Sequence, residues 1–224
     1  MKILCVSDEV DPVVYSSRIR ERFGDVAFVL AAGDLPEDYF EFIVSMLNKP
    51  LIFVQGNHDR LHRSQTENSI SYAAEHIGDG SAGATDARFR IIKESGLCIL
   101  GLPGSIRYNG GDNQFSDFEM WLHLLPLLPR LFVRKLIYGR GVDIILAHAP
   151  VRDVDDGRDP CHRGFRAFPW LIAKLNPRWF VHGHVHLYDL SVGRLSKSGA
   201  TDIVNAFGHW IIDTDGGSDQ GKSK

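Results

Sequence analysis

Several short apolar runs in this chain stop abruptly at polar residues. Residues 3–7 end at Asp8, residues 27–32 at Gly33-Asp34, residues 51–54 at Gln55-Gly56-Asn57-His58-Asp59, and residues 144–147 at His148. Unbroken rather than alternating apolar residues suit strands buried on both faces, so these runs read as strands of a parallel sheet. Helical segments separate the first three. One covers residues 14–23 after Pro12; another runs to Leu47, opened by Pro36 with Glu37 and Asp38 in its first turn. Strand–helix units in this order predict right-handed crossovers and a functional edge at the strands' carboxyl ends.

Further along, residues 64–77 read as a helix and residues 78–84 as a glycine-rich loop. Residues 89–93 and 97–102 form a hairpin around Glu94-Ser95-Gly96. Residues 115–125 and 130–138 are helical pieces, with Pro126 and Pro129 interrupting any single helix between them. After the strand ending at His148, residues 151–164 are almost devoid of apolar side chains, an exposed loop placed to overhang whatever His148 belongs to. A helix over 167–175, a strand over 179–181, and strands over 187–192, 202–205 and 210–213 follow; the last three are expected to complete an antiparallel second sheet. A single domain over residues 1–215 and a disordered tail over 216–224, which has no apolar anchor, account for the chain.

Composition narrows the function. With 44% hydrophobic residues in 224, the chain is long and apolar enough for one sizeable core. A net charge of −3 offers no bulk attraction to nucleic acid or an anionic membrane, so neither is expected as a partner. The three cysteines, Cys5, Cys98 and Cys161, are widely spaced, and two lie in apolar runs, which suits reduced thiols and a cytoplasmic location. Residues 121–133 are the most apolar stretch but carry His123, Pro126, Pro129 and Arg130, too short and too interrupted to span a membrane.

The chemistry gathers at the ends of the apolar runs. Asp8, Asp34, Asn57 and His148 each follow a strand, His58 and Asp59 adjoin Asn57, and Gly183-His184-Val185-His186 supplies two further imidazoles. On an extended chain His184 and His186 point to the same side, which core packing does not require. His62, His76, His123 and His209 carry no such context and read as ordinary core or surface residues.

In order and context these pieces resemble the calcineurin-like metallophosphoesterase family, over residues 3–213. The resemblance implies an α/β fold (α+β mixed), a four-layer αββα sandwich of two mixed sheets with the site at their shared edge. It also implies two divalent transition-metal ions: Asp34 bridging, Asp8 and His186 on one, Asn57, His148 and His184 on the other. Oxygen and imidazole ligands suit Mn, Fe or Zn better than Ca or Mg, and such a pair generates hydroxide for in-line attack on a phosphoester. His58 is then the general acid, with Asp59 holding its ring. The family's first motif reads Asp-x-His, whereas here Val10 stands at the histidine position, so the first metal is expected to bind more weakly. A small phosphodiester is the expected substrate, with Arg107, Tyr108 and His162 lining its pocket. The alternatives are a non-catalytic, protein-binding member of the same fold and a nuclease subunit.

Overall fold

Side chains alternate between the faces of a strand, so a strand covered on both sides needs apolar residues at every position. The computed structural model shows this along the first strand: Ile3 and Cys5 point into one cluster, Leu4 and Val6 into another. The structure describes residues 1–59, 84–157, 159–187 and 193–215. The helix over 64–77, nearly all of the glycine-rich loop, the strand over 187–192 but for its first residue, the tail over 216–224, His62 and His76 lie outside the described residues.

Among the described residues, one sheet has the order β13-β1-β2-β3-β4, formed by Gly208–Asp213, Lys2–Ser7, Val26–Ala31, Leu51–Phe53 and Ala84–Asp86. Strands β1 to β4 are parallel and β13 runs antiparallel to β1. The second sheet has the order β11-β12-β10-β9-β6-β5, from Leu195–Ser198, Thr201–Asn205, Trp179–His182, Ile144–Ala147, Leu97–Leu102 and Ile91–Glu94. Its four inner strands are parallel and both edges antiparallel. A small pair, β7 (Ser105–Ile106) and β8 (Gln114–Phe115), stands apart.

The two sheets pack face to face through Ile3, Cys5, Phe28, Leu30 and Ile52 on one side and Ile99, Ile144, Leu146, Val181 and Val204 on the other. Helices α1 (Ile19–Phe23) and α2 (Glu37–Leu47) cover the outside of the first sheet through Ile19, Phe23, Tyr39, Ile43 and Leu47. Helices α3 (Asp117–Leu124), α4 (Leu128–Tyr138) and α5 (Ala167–Leu175) cover the second through Met120, Leu124, Leu131, Phe168, Leu171 and Leu175. The expected four-layer α/β sandwich of two mixed sheets is therefore the observed fold. No helix among the described residues is long and apolar enough to cross a membrane.

Three local expectations change. The helix over 14–23 shrinks to α1, because the Asp11 carboxylate takes the Val13 N–H at 2.7 Å and its carbonyl takes those of Val14 and Tyr15, holding the chain in turns. The second sheet is mixed rather than antiparallel. Residues 210–213 join the first sheet instead, with Trp210 opposite Cys5, while β12 lies parallel to β10. Strand β11, with the polar sequence Leu-Ser-Lys-Ser, had no apolar signal to announce it. The hairpin is as expected, Ser95 and Gly96 both at positive φ (48° and 82°) as a tight two-residue turn demands. Pro129 sits in the first turn of α4, where its missing N–H costs no helical bond.

Helix α3 begins with a reciprocal cap: Ser116 Oγ accepts the Glu119 N–H at 3.2 Å and Glu119 accepts the Ser116 N–H at 2.7 Å. Ser116→Ala is expected to lower stability by about 1 kcal/mol in urea unfolding, with an unchanged denaturant slope.

Candidate metal centre

Because β1, β2 and β3 are parallel in one sheet and β9 and β10 in the other, their carboxyl ends share one edge of the sandwich. Asp8, Asp34 and Asn57 leave the first sheet there, His148 and His184 the second. The sheets are laced together at this edge: His148 Nδ1 meets the Ala32 carbonyl at 2.8 Å, and the His184 N–H reaches both Asp8 carboxylate oxygens at 3.0 Å. Glycine is required at such approaches. A Cβ on Gly183 would lie 1.8 Å from Ser7 Oγ, and one on Gly56 would lie 2.0 Å from Asp34 Oδ1.

Asp8, Asp34 and His184 all have positive φ, at 63°, 56° and 66°. At Asp8 and His184 the chain makes a three-residue turn, with Glu9 N–H bonded to Ser7 O and Val185 N–H to Gly183 O. Backbone conformations of this kind, uncommon outside glycine, concentrate where a site fixes them. They also correct the expectation for residues 184–186. The chain is bent there rather than extended, so the two histidines are not placed by strand alternation; the turn aims His184 inward and leaves His186 half-exposed.

The bonds on the outer ring atoms decide what faces inward. His148 Nδ1 donates to Ala32 O and His184 Nε2 donates to Cys161 O at 2.6 Å, which leaves His148 Nε2 and His184 Nδ1 with lone pairs in the neutral rings. These two nitrogens are 3.1 Å apart. His148 Nε2 is also 3.0 Å from Asn57 Oδ1 and 3.3 Å from Asp34 Oδ2. Asn57 turns its oxygen inward because its Nδ2 donates to the Tyr108 hydroxyl at 3.1 Å. Four acceptor atoms thus surround one buried spot, an arrangement that calls for a positive charge. Asp34, His148 and His184 form a group able to hold a metal ion, with ligand atoms all within 4.8 Å of one another.

Without a metal, a proton takes that role. Burial opposes charge on His148, yet the Asp34 and Asp8 carboxylates prevail and raise it to about 9. Asp34, also buried, is held at about 2 by the His148 charge and by bonds from His148 and the His58 N–H. Burial and the neighbouring His148 charge push His184 down to about 3.

The remaining expected site residues fall around this nucleus. Asp8 is buried, its carboxyl raised by that burial, and it accepts from Ser7 Oγ at 2.5 Å as well as from His184 N–H. His186 Nε2 lies 3.8 Å from Asp8 Oδ1. Val10 is 37% exposed, and Asp11 does not take its place: its carboxylate meets His209 Nδ1 at 2.6 Å. His58 is exposed at the mouth, its backbone bonded to Asp34 Oδ1 at 2.8 Å. Asp59 Oδ2 accepts the Gly56 and Asp34 N–H groups, at 2.7 and 3.0 Å, and so fastens the loop that carries His58. Tyr108 touches Asn57, and the His162 ring lies 5.1 Å from the His184 ring, so both border the centre. Arg107 instead pairs with Glu119 at 2.9 Å and reaches the Gln114 carbonyl, anchoring its loop to α3. Sequence reasoning missed the Ala32 and Cys161 carbonyls and Ser7; backbone acceptors leave no residue-type signature.

The charge on His148 has a measurable consequence. Its folded value of about 9 exceeds the ordinary histidine value of ~6.5, so its contribution to stability is complete below ~6.5 and is lost as the pH rises through about 9. Chelator-treated protein is expected to show a urea midpoint that falls over this window, while transition-metal affinity rises over it as the imidazole gives up its proton. A flat profile would mean that His148 carries no proton.

The chain has solved structural relatives. One crystal structure aligns with TM-score 0.65 at 14% identity over 96% of this chain and 95% of its own. The crystal structure of TT1561 of Thermus thermophilus aligns with TM-score 0.58 at 14% identity, over 92% and 89%. Likeness at such identities speaks for the fold alone. No curated protein sequence matches the chain. The family model of calcineurin-like phosphoesterase matches residues 1–188, the stretch that contains every residue placed around the centre, and the chain belongs to that family.

Proposed function

We propose that the chain is a metal-dependent phosphodiesterase acting on small phosphodiesters. The observation that carries this reading is the convergence of His148 Nε2, His184 Nδ1, Asn57 Oδ1 and Asp34 Oδ2 on one buried point, with each imidazole's outer nitrogen already committed to a carbonyl. Asn57, His148, His184 and Asp34 would hold one ion; Asp34, Asp8 and His186 would hold a second. Mixed oxygen and nitrogen ligands favour Mn, Fe or Zn. Bound there, divalent ions would offset phosphate charge and lower the pKa of water toward neutrality.

The chain's own residues supply the rest. His58, exposed beside Asp34, can donate a proton to a leaving alkoxide. Asp59 keeps its loop on Asp34 through two backbone bonds. Tyr108 fixes the Asn57 amide, and Tyr108 and His162 border the space a substrate would enter. Arg107 would reach substrate only by leaving Glu119.

A second reading, a protein-binding member of the fold without catalysis, draws support from the Asp8 half. Val10 supplies no ligand, Asp11 is engaged by His209, and Asp8 already accepts from two donors, Ser7 Oγ and the His184 N–H shared between its oxygens. A purely structural scaffold, however, has no use for four buried acceptors facing one another.

Metal-stripped protein resupplied with Mn is expected to hydrolyse bis(p-nitrophenyl) phosphate. His58→Ala treated identically is expected to lose about 10²–10⁴-fold of the rate on a diester with an alkoxide leaving group and far less on the p-nitrophenyl diester, whose leaving group departs without a proton. No turnover with Mn, Fe, Zn or Ni would hand the lead to the scaffold reading. Elemental analysis of the Mn-loaded protein after gel filtration is expected to find about one tightly held Mn per chain at the Asp34, His148 and His184 group, a second being retained only when supplied in excess. Equal tight retention of two Mn ions would contradict the weak Asp8 half.

A further inference from the structure

Residues 151–164 leave the strand that ends at His148 and carry a second group of ligand-type side chains that the phosphodiesterase reading leaves without a joint task. Asp159 Oδ2 lies 2.7 Å from Cys161 Sγ and 2.6 Å from His162 Nδ1, and the sulfur and ring nitrogen are 3.4 Å apart. The three ligand atoms form a compact group able to hold a metal ion. They come from four consecutive positions, and Cys161 is only partly buried whereas Cys5 and Cys98 are buried.

We propose that Asp159, Cys161 and His162 form a site for a thiophilic divalent ion, Zn²⁺, separate from the Asp34, His148 and His184 centre. Zinc bonds of ~2.0–2.3 Å in a tetrahedral arrangement set ligand atoms about 3.3–3.8 Å apart. The sulfur–nitrogen edge has that length already, and the two edges to Asp159 open by about 1 Å once the ion displaces the thiol and imidazole protons. Water completes the fourth position from the solvent side, where Asp159 is exposed and His162 partly so.

Two rival uses of the trio are weaker. A purely hydrogen-bonded turn would be satisfied by Asp159 and His162, and a thiol, a weak donor, adds little to it. A nucleophilic cysteine needs thiolate near neutral pH, and the bond from Asp159 together with partial burial raises the Cys161 thiol instead. Thiolate also separates the two sites by metal type: sulfur selects zinc, whereas oxygen and imidazole accept manganese or iron.

The site borders the centre directly. The Cys161 carbonyl receives the His184 Nε2–H, and the His162 ring packs against the His184 ring. Zinc on the loop would thus hold the carbonyl that fixes which His184 nitrogen faces inward. That consequence rests on the phosphodiesterase reading, whereas the site itself stands on its own geometry.

Sulfur makes the test selective. Metal-stripped full-length protein titrated with Co²⁺ is expected to develop a sulfur-to-cobalt charge-transfer absorption, bleached by Zn²⁺, that saturates at about one equivalent beyond the cobalt taken by the Asp34, His148 and His184 centre. Cys161→Ser is expected to abolish the band, with an unchanged circular dichroism spectrum, and His162→Ala to weaken cobalt affinity at least about tenfold. In the unmodified chain, Zn²⁺ is expected to slow alkylation of Cys161 at least about tenfold. Absence of the band, its survival in Cys161→Ser, or unchanged alkylation would overturn the proposal. The Asp34, His148 and His184 centre contains no sulfur, so these outcomes are independent of whether the diester is hydrolysed.

Discussion

Four hydrogen-bond acceptors held at one buried point form a repulsive cluster, and the edge of the sandwich is organised around tolerating it. His148 Nε2, His184 Nδ1, Asn57 Oδ1 and Asp34 Oδ2 are each aimed by a bond elsewhere: Ala32 O, Cys161 O, the Tyr108 hydroxyl and the His58 N–H. Left neutral, the group would place unsatisfied lone pairs against one another in a dry interior, at a cost of a few kcal/mol per group. A positive charge removes that penalty, whether a proton on His148 or a divalent ion. The same cluster therefore explains why His148 is raised despite complete burial and why Asp34 is lowered although most of it is buried.

Backbone geometry follows from the same demand. To aim a carboxylate or an imidazole from the very end of a strand, the chain must turn within one or two residues. Asp8, Asp34 and His184 do so at positive φ, and Gly33, Gly56 and Gly183 leave the room that makes this possible. The two halves of the centre then diverge. His148 and His184 bring free lone pairs, whereas Asp8 already accepts from Ser7 and the His184 backbone and has His186 only at 3.8 Å. Val10, exposed beside them, cannot compensate, and Asp11 turns away to His209.

Much of this was legible in the sequence, for physical reasons. A strand buried on both faces has no polar position, so β1, β2, β3 and β9 stood out as unbroken apolar runs, and parallel topology sent the residues after them to one edge. Asp34 and His148 were named as candidates from that position, His184 from the Gly-His-Val-His cluster, and the three lie together. The failures share a cause, namely that local pattern does not encode the partner. Residues 210–213, Trp-Ile-Ile-Asp, form a short apolar run that names no partner, and only the closing of the first sheet onto β1 decides where they pair. Strand β11 is polar because it is an edge, and α1 is short because Asp11 captures backbone N–H groups that a longer helix would need. The bend at His184 was hidden as well, since Gly-His-Val-His is as compatible with an extended strand as with a turn.

The loop over residues 151–164 shows where position in the chain says more than composition. Its polarity marks it only as exposed, but its start directly after His148 ties one end to the centre. Val151 bridges to Phe165 at the other end, so the segment must arch and return rather than lead away. An arch anchored beside His148 brings whatever lies near its end toward His184, and there the contact is made by the Cys161 backbone and the His162 ring. The side chains at 159–162 are thereby joined to the centre through the Cys161 carbonyl and the His162 ring. The tautomer of His184, and with it the availability of Nδ1, depends on how firmly that carbonyl is held.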